Sequence, residues 1–228
     1  MQHGGPRVTT LTSRTSRPPL PPGVEQTRVV AIMRHTAPDL AVQTARALLG
    51  GGVCAVEVTL NSADALSMLR AIKAALLGQV VLGAGTVLNI SAADAAIDAG
   101  VSFIVSPHTE QDLIRHVVSR GIPCLPGAFT ASEVLAAWSA GASVVKLFPS
   151  GPVGPAYLKD LRGPLGHVPL MPTGGVSLDN AAAFMQAGAW GLGVGSALVD
   201  PSLVASGRFE ELTRRAAAFV AIAHEATT

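Results

Sequence analysis

The chain contains three lysines, and one of them stands in the wrong surroundings for a solvated amine. Lys73 lies in the helical run 69–76 and Lys159 in the helical run 156–161, where an ammonium group reaches water easily. Lys146 sits between Val145 and Leu147 in SVVKLF, a run that reads as a strand buried on both faces. A buried ammonium is costly unless it is paired or deprotonated. A neutral amine in a dry pocket attacks carbonyl carbon and forms a Schiff base. Glu57 is the matching acid. Of fifteen acidic residues it alone interrupts an apolar strand run, VCAVEV. A carboxylate beside an imine can move the protons that interconvert imine and enamine. A Lys146–Glu57 ion pair that merely braces the core is the competing reading.

Two glycine-rich turns add a second kind of chemistry. Pro172-Thr173-Gly174-Gly175 and Gly193-Val194-Gly195-Ser196 each follow an apolar run and lead toward a helix. Glycine lets backbone amides approach an oxyanion closely, and a helix N-terminus adds unpaired N–H groups and a favourable dipole. A phosphate site is the expected result. The histidines (His3, His35, His108, His116, His167 and His224) show no metal-ligand spacing. Neither a catalytic metal nor an organic cofactor is expected. His35 and His108 end strand runs, which leaves either within reach of a substrate.

The elements that must position these residues repeat at a steady interval. Apolar strand runs begin near Arg28, Val53, Gln79, Ser102, Ile122, Ser143, Val168 and Trp190, with Ala/Leu-rich helical segments between them. Each interval holds one strand, a loop and about three helical turns. Asp39, Ser91, Thr109, Thr130 and Ser177 stand at or near helix starts. Gly50-Gly51-Gly52, Gly100, Gly121, Gly141 and Gly188 stand where helices stop. Strands alternating with helices imply parallel pairing and right-handed crossovers. Eight such units predict an α/β chain folded as a compact single-domain (β/α)8 TIM barrel. An open doubly wound sheet is the alternative, but the Arg34-His35-Thr36-Ala37 turn lacks its glycine fingerprint. Barrel catalysis gathers at the C-terminal ends of strands. Alternation places Cys54, Val56 and Val58 toward the helices, and Glu57 with Ala55 and Thr59 inside the mouth. The same parity sets Lys146 with Val144 and Phe148, and Arg34 with Val30 and Ile32.

Composition narrows the function classes. The 228 residues carry a formal charge of +1, so neither nucleic acid nor an anionic membrane is an expected partner. No apolar stretch is long enough to span a bilayer. Cys54 and Cys124 read as reduced core thiols of a cytoplasmic protein. Residues 1–27 hold five of the sixteen prolines, including Pro18-Pro19-Leu20-Pro21-Pro22, and read as a flexible N-terminal extension. The barrel, with a C-terminal helix, takes residues 28–228.

Taken in order, Arg34, Glu57-Val58-Thr59-Leu60, Gly83-Ala84-Gly85-Thr86-Val87, Ser106-Pro107, Pro126-Gly127, Lys146-Leu147-Phe148-Pro149 and the two glycine turns form a set. That set closely resembles the 2-keto-3-deoxy-6-phosphogluconate aldolase / 4-hydroxy-2-oxoglutarate aldolase family, from about residue 29 to 199. The resemblance implies a (β/α)8 barrel, a homotrimer and metal-independent class I cleavage of a keto-acid phosphate to pyruvate and glyceraldehyde 3-phosphate. It implies Lys146 as the Schiff-base lysine and Glu57 as an acid/base acting through water. It further implies that Thr86 and Thr173 hold the pyruvate-derived part and that Pro107 and Phe148 shape the pocket. Gly174, Gly175, Gly195 and Ser196 would hold phosphate, and Arg34 would hold a carboxylate. Asn61 departs from the many members with arginine after Glu-Val-Thr-Leu and resembles the galactonate-specific relatives, whereas Pro172-Thr173 resembles the gluconate branch. A non-covalent isomerase or epimerase and a catalytically silent assembly subunit are the readings from other classes.

Overall fold

The computed structural model describes residues 17–225. They form an α/β fold with elements in the order α1 (Pro22–Thr27), β1 (Val29–Met33), α2 (Ala41–Gly50), β2 (Ala55–Thr59), α3 (Ala65–Ala75), β3 (Val81–Gly85), α4 (Ile90–Asp98), β4 (Phe103–Val105) and α5 (Gln111–Ser119). There follow β5 (Cys124–Leu125), β6 (Gly127–Ala128), α6 (Ala131–Ala140), β7 (Val145–Leu147), α7 (Gly154–Leu165), β8 (Leu170–Pro172), α8 (Leu178–Gln186), β9 (Leu192–Val194), α9 (Pro201–Ala205) and α10 (Phe209–Glu225). Every expected strand run contains a strand. The fifth is followed by a further strand, β6, set apart by Pro126, which lacks the N–H that would continue the ladder.

All strand pairs are parallel. Six strands run β5-β4-β3-β2-β1-β9 as an open half-barrel, and three run β6-β7-β8. The two sheets meet where Thr173 bridges Gly193 and Trp190 N donates to Leu170 O at 2.8 Å. They also adjoin across Pro126, whose carbonyl accepts from Lys146 N.

Alternation along the strands sorts side chains into two apolar cores. Val56, Val58, Ala84, Ile104, Val145, Leu147 and Val194 pack against the helices. Val30, Ala55, Phe103, Val105, Leu125, Val144 and Met171 meet on the opposite, inner face. Glu57 and Lys146 share the parity of Ala55 and Val144, so both belong to the inner layer. Cys54 precedes β2 and meets a helix at the foot of the strands: its thiol donates to Gly23 O of α1 at 3.1 Å.

The composition-based boundary at residue 27 is corrected by the structure; its part over residues 1–16 lies outside the described residues. Arg17 stacks over Trp138 at 3.6 Å and donates to Ala142 O and Trp138 O. Ser143 Oγ donates to Pro18 O. Pro22 opens α1, whose Val24 is fully buried in the inner core. A proline at the first helical position costs no hydrogen bond, so the proline-rich segment ends in a helix docked beneath the strands.

Helix ends follow local chemistry with small offsets. Thr130 and Glu133 form a reciprocal capping box at α6, as expected for Thr130. Asn89 caps α4 where Ser91 was expected, and Glu110 caps α5 where Thr109 was expected. The stops at Gly100, Gly121, Gly141 and Gly188 all have positive φ.

Candidate active site

Lys146 is 3 % exposed and extends from the middle of β7 on the inner face. It pairs in register with Gly127 on one side and Met171 on the other. Gly127 is required there, because a Cβ would strike the Pro107 carbonyl. The Lys146 Nζ stands 4.8 Å from the Phe148 ring centroid, within cation–π range. Burial pulls its pKa below the ordinary lysine value; the Glu57 charge opposes that shift and the Arg34 charge adds to it. The amine is thus biased toward its neutral, nucleophilic form.

Glu57 is fully buried, and neither carboxylate oxygen accepts a hydrogen bond from any described residue. Burial raises its pKa, against the opposing pull of Lys146 and Arg34. No ion pair within 4 Å joins Glu57 to Lys146 among the described residues, which removes the main support for a bracing salt bridge. Glu57 pairs with Gly83 and lies over Gly85, where a Cβ would collide with its Oε1.

A cavity of ≈ 440 Å³ opens above Lys146. Of the expected residues it is lined by Arg34, Lys146, Phe148, Thr173, Gly174, Gly175, Gly195 and Ser196. Glu57, Asn61, Thr86 and Pro107 do not line it. Asn61 and Thr86 instead hold Arg34: Nη1 donates to Asn61 Oδ1 at 3.3 Å and Nη2 to Thr86 Oγ1 at 3.4 Å. Thr86 stands at φ 55°. Thr173 is 2 % exposed, and Gly193 opposite it has no room for a Cβ against the threonine hydroxyl. His35 lines the cavity; His108 does not.

The glycine turns are buttressed by residues that sequence reasoning missed. Ser150 Oγ donates to Thr173 O and Gly174 O, and Gly151 N donates to Gly174 O at 2.7 Å. Asn180 Nδ2 donates to Gly175 O at 2.8 Å, while its Oδ1 accepts from Ser177 N. The Ser-x-x-Asn spacing was the one available signal, as a variant of the capping box. Among the described residues the amides of Gly175, Val176, Ser196 and Ala197 donate no backbone hydrogen bond. They are the donors that an oxyanion in this cavity would meet. Among the described residues no three His, Cys, Asp or Glu side chains cluster as a metal site.

A buried electrophile-seeking amine and a set of free amides stand around one cavity, with an unpaired carboxylate in the inner layer behind its lining. Comparison with known proteins agrees with that chemistry. A family model described as KDPG and KHG aldolase matches residues 23–215. The chain is 37% identical over 199 residues to 2-dehydro-3-deoxy-6-phosphogalactonate aldolase of Escherichia coli (strain K12), covering 87% of this chain and 95% of that one. It is 35% identical over 191 residues to 2-dehydro-3-deoxy-phosphogluconate aldolase of Treponema pallidum (strain Nichols), covering 83% and 90%. The fold superposes with a TM-score of 0.81 on KDPG aldolase from Legionella pneumophila, solved with pyruvate captured at low pH as a covalent carbinolamine intermediate. That pair is 25% identical, covering 86% of this chain and 96% of that one.

Proposed function

The chain belongs to the KDPG and KHG aldolase family, and on that premise we propose that it is a class I aldolase cleaving a 2-keto-3-deoxy-6-phospho sugar acid to pyruvate and glyceraldehyde 3-phosphate. The observation that carries the reading is Lys146, a buried amine with a lowered pKa and no ion-pair partner among the described residues, at the base of the cavity.

The neutral amine adds to the C2 carbonyl, and loss of water from the resulting carbinolamine leaves an iminium. Loss of the proton from the C4 hydroxyl then breaks the C3–C4 bond. The bonding pair enters the iminium to give an enamine, and the aldehyde departs. Protonation at C3 and hydrolysis of the imine release pyruvate and restore the amine. Glu57, its pKa raised by burial, carries these protons through water as the acid/base. Thr173 orients the pyruvate part, Phe148 shapes the wall, Pro107 backs Gly127 beside Lys146, and Arg34, held by Asn61 and Thr86, binds a carboxylate. The turns at Gly174, Gly175, Gly195 and Ser196 bind the phosphate. Asn61 tunes the choice between gluconate and galactonate phosphates. 4-Hydroxy-2-oxoglutarate is a further substrate of the same chemistry.

The same reading takes the two sheets as one closed (β/α)8 ring, supported by the Thr173–Gly193 bridge on one side and the short Pro126 break on the other. It also includes a cytoplasmic homotrimer. Exposed Leu88, Ile90, Phe129 and Leu135 supply apolar surface for such an assembly, and sedimentation at three chain masses tests it.

Borohydride reduction with pyruvate, followed by intact mass and peptide mapping, tests the mechanism. One reduced adduct on Lys146 is expected, absent in Lys146→Ala, with activity surviving EDTA. An adduct on Lys73 or Lys159 would overturn the role of Lys146, and no adduct at all would favour the non-covalent isomerase.

A further inference from the structure

The cavity above Lys146 has three basic side chains in its lining: Arg34, His35 and Lys146. Lys146 is the amine at its base. Arg34 is tied toward β2 and β3 by its hydrogen bonds to Asn61 and Thr86. The opposite end, formed by Gly174, Gly175, Gly195 and Ser196, has no charged side chain of its own in that lining. His35 is the remaining basic group. It follows β1, which pairs directly with β9, the strand that leads into Gly195 and Ser196.

His35 is also held in an uncommon backbone conformation. Its φ is 54°, a region costly for most residues with a side chain. A small polar network fixes it there. His35 N donates to Ser62 Oγ at 2.9 Å, and Ser62 Oγ shares a 3.0 Å hydrogen bond with Thr59 Oγ1. Thr59 is fully buried and donates to Met33 O, two residues before His35. Backbone strain maintained by buried partners and aimed into a cavity marks a functional position. His35 further lines an adjoining cavity of ≈ 220 Å³ together with Arg34, Val199 and Pro201, so it stands at the junction of the two.

We propose that His35 is a substrate-binding residue that donates an imidazole N–H to the phosphate held by the two glycine turns, and so sets the preference for phosphorylated over unphosphorylated acceptors. An imidazole has at least one N–H in either protonation state. A hydrogen bond to a charged oxygen supports about a tenfold or greater effect on binding. The inference rests on the aldolase reading for its substrate, but its test has a readout that does not.

His35→Gly keeps a residue at ease with positive φ while removing the imidazole, and His35→Asn restores a donor at a position asparagine tolerates. Calorimetric titration of the full chain with inorganic phosphate should show about a tenfold or larger rise in Kd for His35→Gly, partly reversed in His35→Asn. In aldol addition of pyruvate, the kcat/KM ratio of glyceraldehyde 3-phosphate to glyceraldehyde should fall by a similar factor in His35→Gly. Equal phosphate Kd in parent and His35→Gly, or no phosphate binding by the parent, would overturn the proposal. Failure of the parent to trap pyruvate with borohydride would instead sink the aldolase reading, and the phosphate titration would still decide the role of His35.

Discussion

Glu57 and Gly85 compete for one volume: the carboxylate occupies the place where a side chain on Gly85 would begin. Gly85→Ala should therefore displace the carboxylate and overpack the inner layer, at a cost of roughly 1–3 kcal/mol in stability by thermal melting. Deuterium exchange at the pyruvate methyl should slow by about 10²-fold or more in Gly85→Ala and in Glu57→Gln, while imine trapping stays detectable. Exchange at the parent rate in Glu57→Gln would show that another group carries the proton.

The pH dependence of trapping has a definite sign. Only the neutral amine attacks, so the rate should rise with pH and level off below the ordinary lysine value, because burial lowers the Lys146 pKa. Glu57→Gln removes the charge that raises this pKa and should move the midpoint to lower pH. Arg34→Ala removes a charge that lowers it and should move the midpoint higher. Folding follows the same linkage. Between the depressed and the ordinary lysine pKa the unfolded chain binds more protons, so stability falls as pH drops through that window. Lys146→Met should lose that fall in urea titrations across the same range.

The two glycine turns should answer differently to substitution. Ser196→Ala removes one hydroxyl and should raise KM for the phosphorylated substrate by at most about tenfold. Gly175→Val should be severe. Gly175 has φ 85°, and its missing side chain faces Gly151 Cα at 2.5 Å. Steady-state kinetics on both variants, with circular dichroism as the folding check, decide the comparison. Similar losses would mean that the hydroxyl, and not the backbone approach, binds the anion.

Asn61 touches Arg34, so substituting either residue should alter the other. Arg34→Ala should raise KM for keto-acid substrates strongly, since the cavity lining offers no second arginine. Asn61→Arg sets two guanidinium groups together and should shift the kcat/KM ratio between gluconate and galactonate phosphates. An unchanged ratio would assign stereochemical choice elsewhere, with Thr173 the next residue to test.

The two buried charged residues, Lys146 and Glu57, were legible because burial punishes charge. A lone lysine and a lone glutamate inside apolar strand runs stand out without any knowledge of the fold, and two-residue alternation then sets their direction. Strand positions were legible for a similar reason, as short β-branched runs between glycine stops. Contacts between distant segments were not. Ser150, Gly151 and Asn180 brace the glycine turns through backbone carbonyls, and no local pattern in 150–151 announces that. Helix α1 was missed because six residues starting at a proline are too short to show a 3.6-residue period. The placement of Asn61 and Thr86 around Arg34, outside the cavity lining, likewise depends on how three neighbouring strands end together.

Helix α1 has a kinetic consequence. By setting Val24 beneath Val30, Ala55 and Phe103 it gives the inner layer an apolar floor, so Lys146 is approached from above. On the proposed chemistry such a well works as a stack. Pyruvate, bonded to Lys146, lies deepest, and the aldehyde fragment lies between it and the mouth. In cleavage the aldehyde must leave first and pyruvate last; in synthesis pyruvate must enter before its partner. Product inhibition should follow that order, with pyruvate competing against the sugar acid for the free amine and the aldehyde competing only after pyruvate is bound. The bond to Lys146 would fix that sequence, and α1, packed at the far end of the fold, leaves both fragments the same mouth as their way in and out.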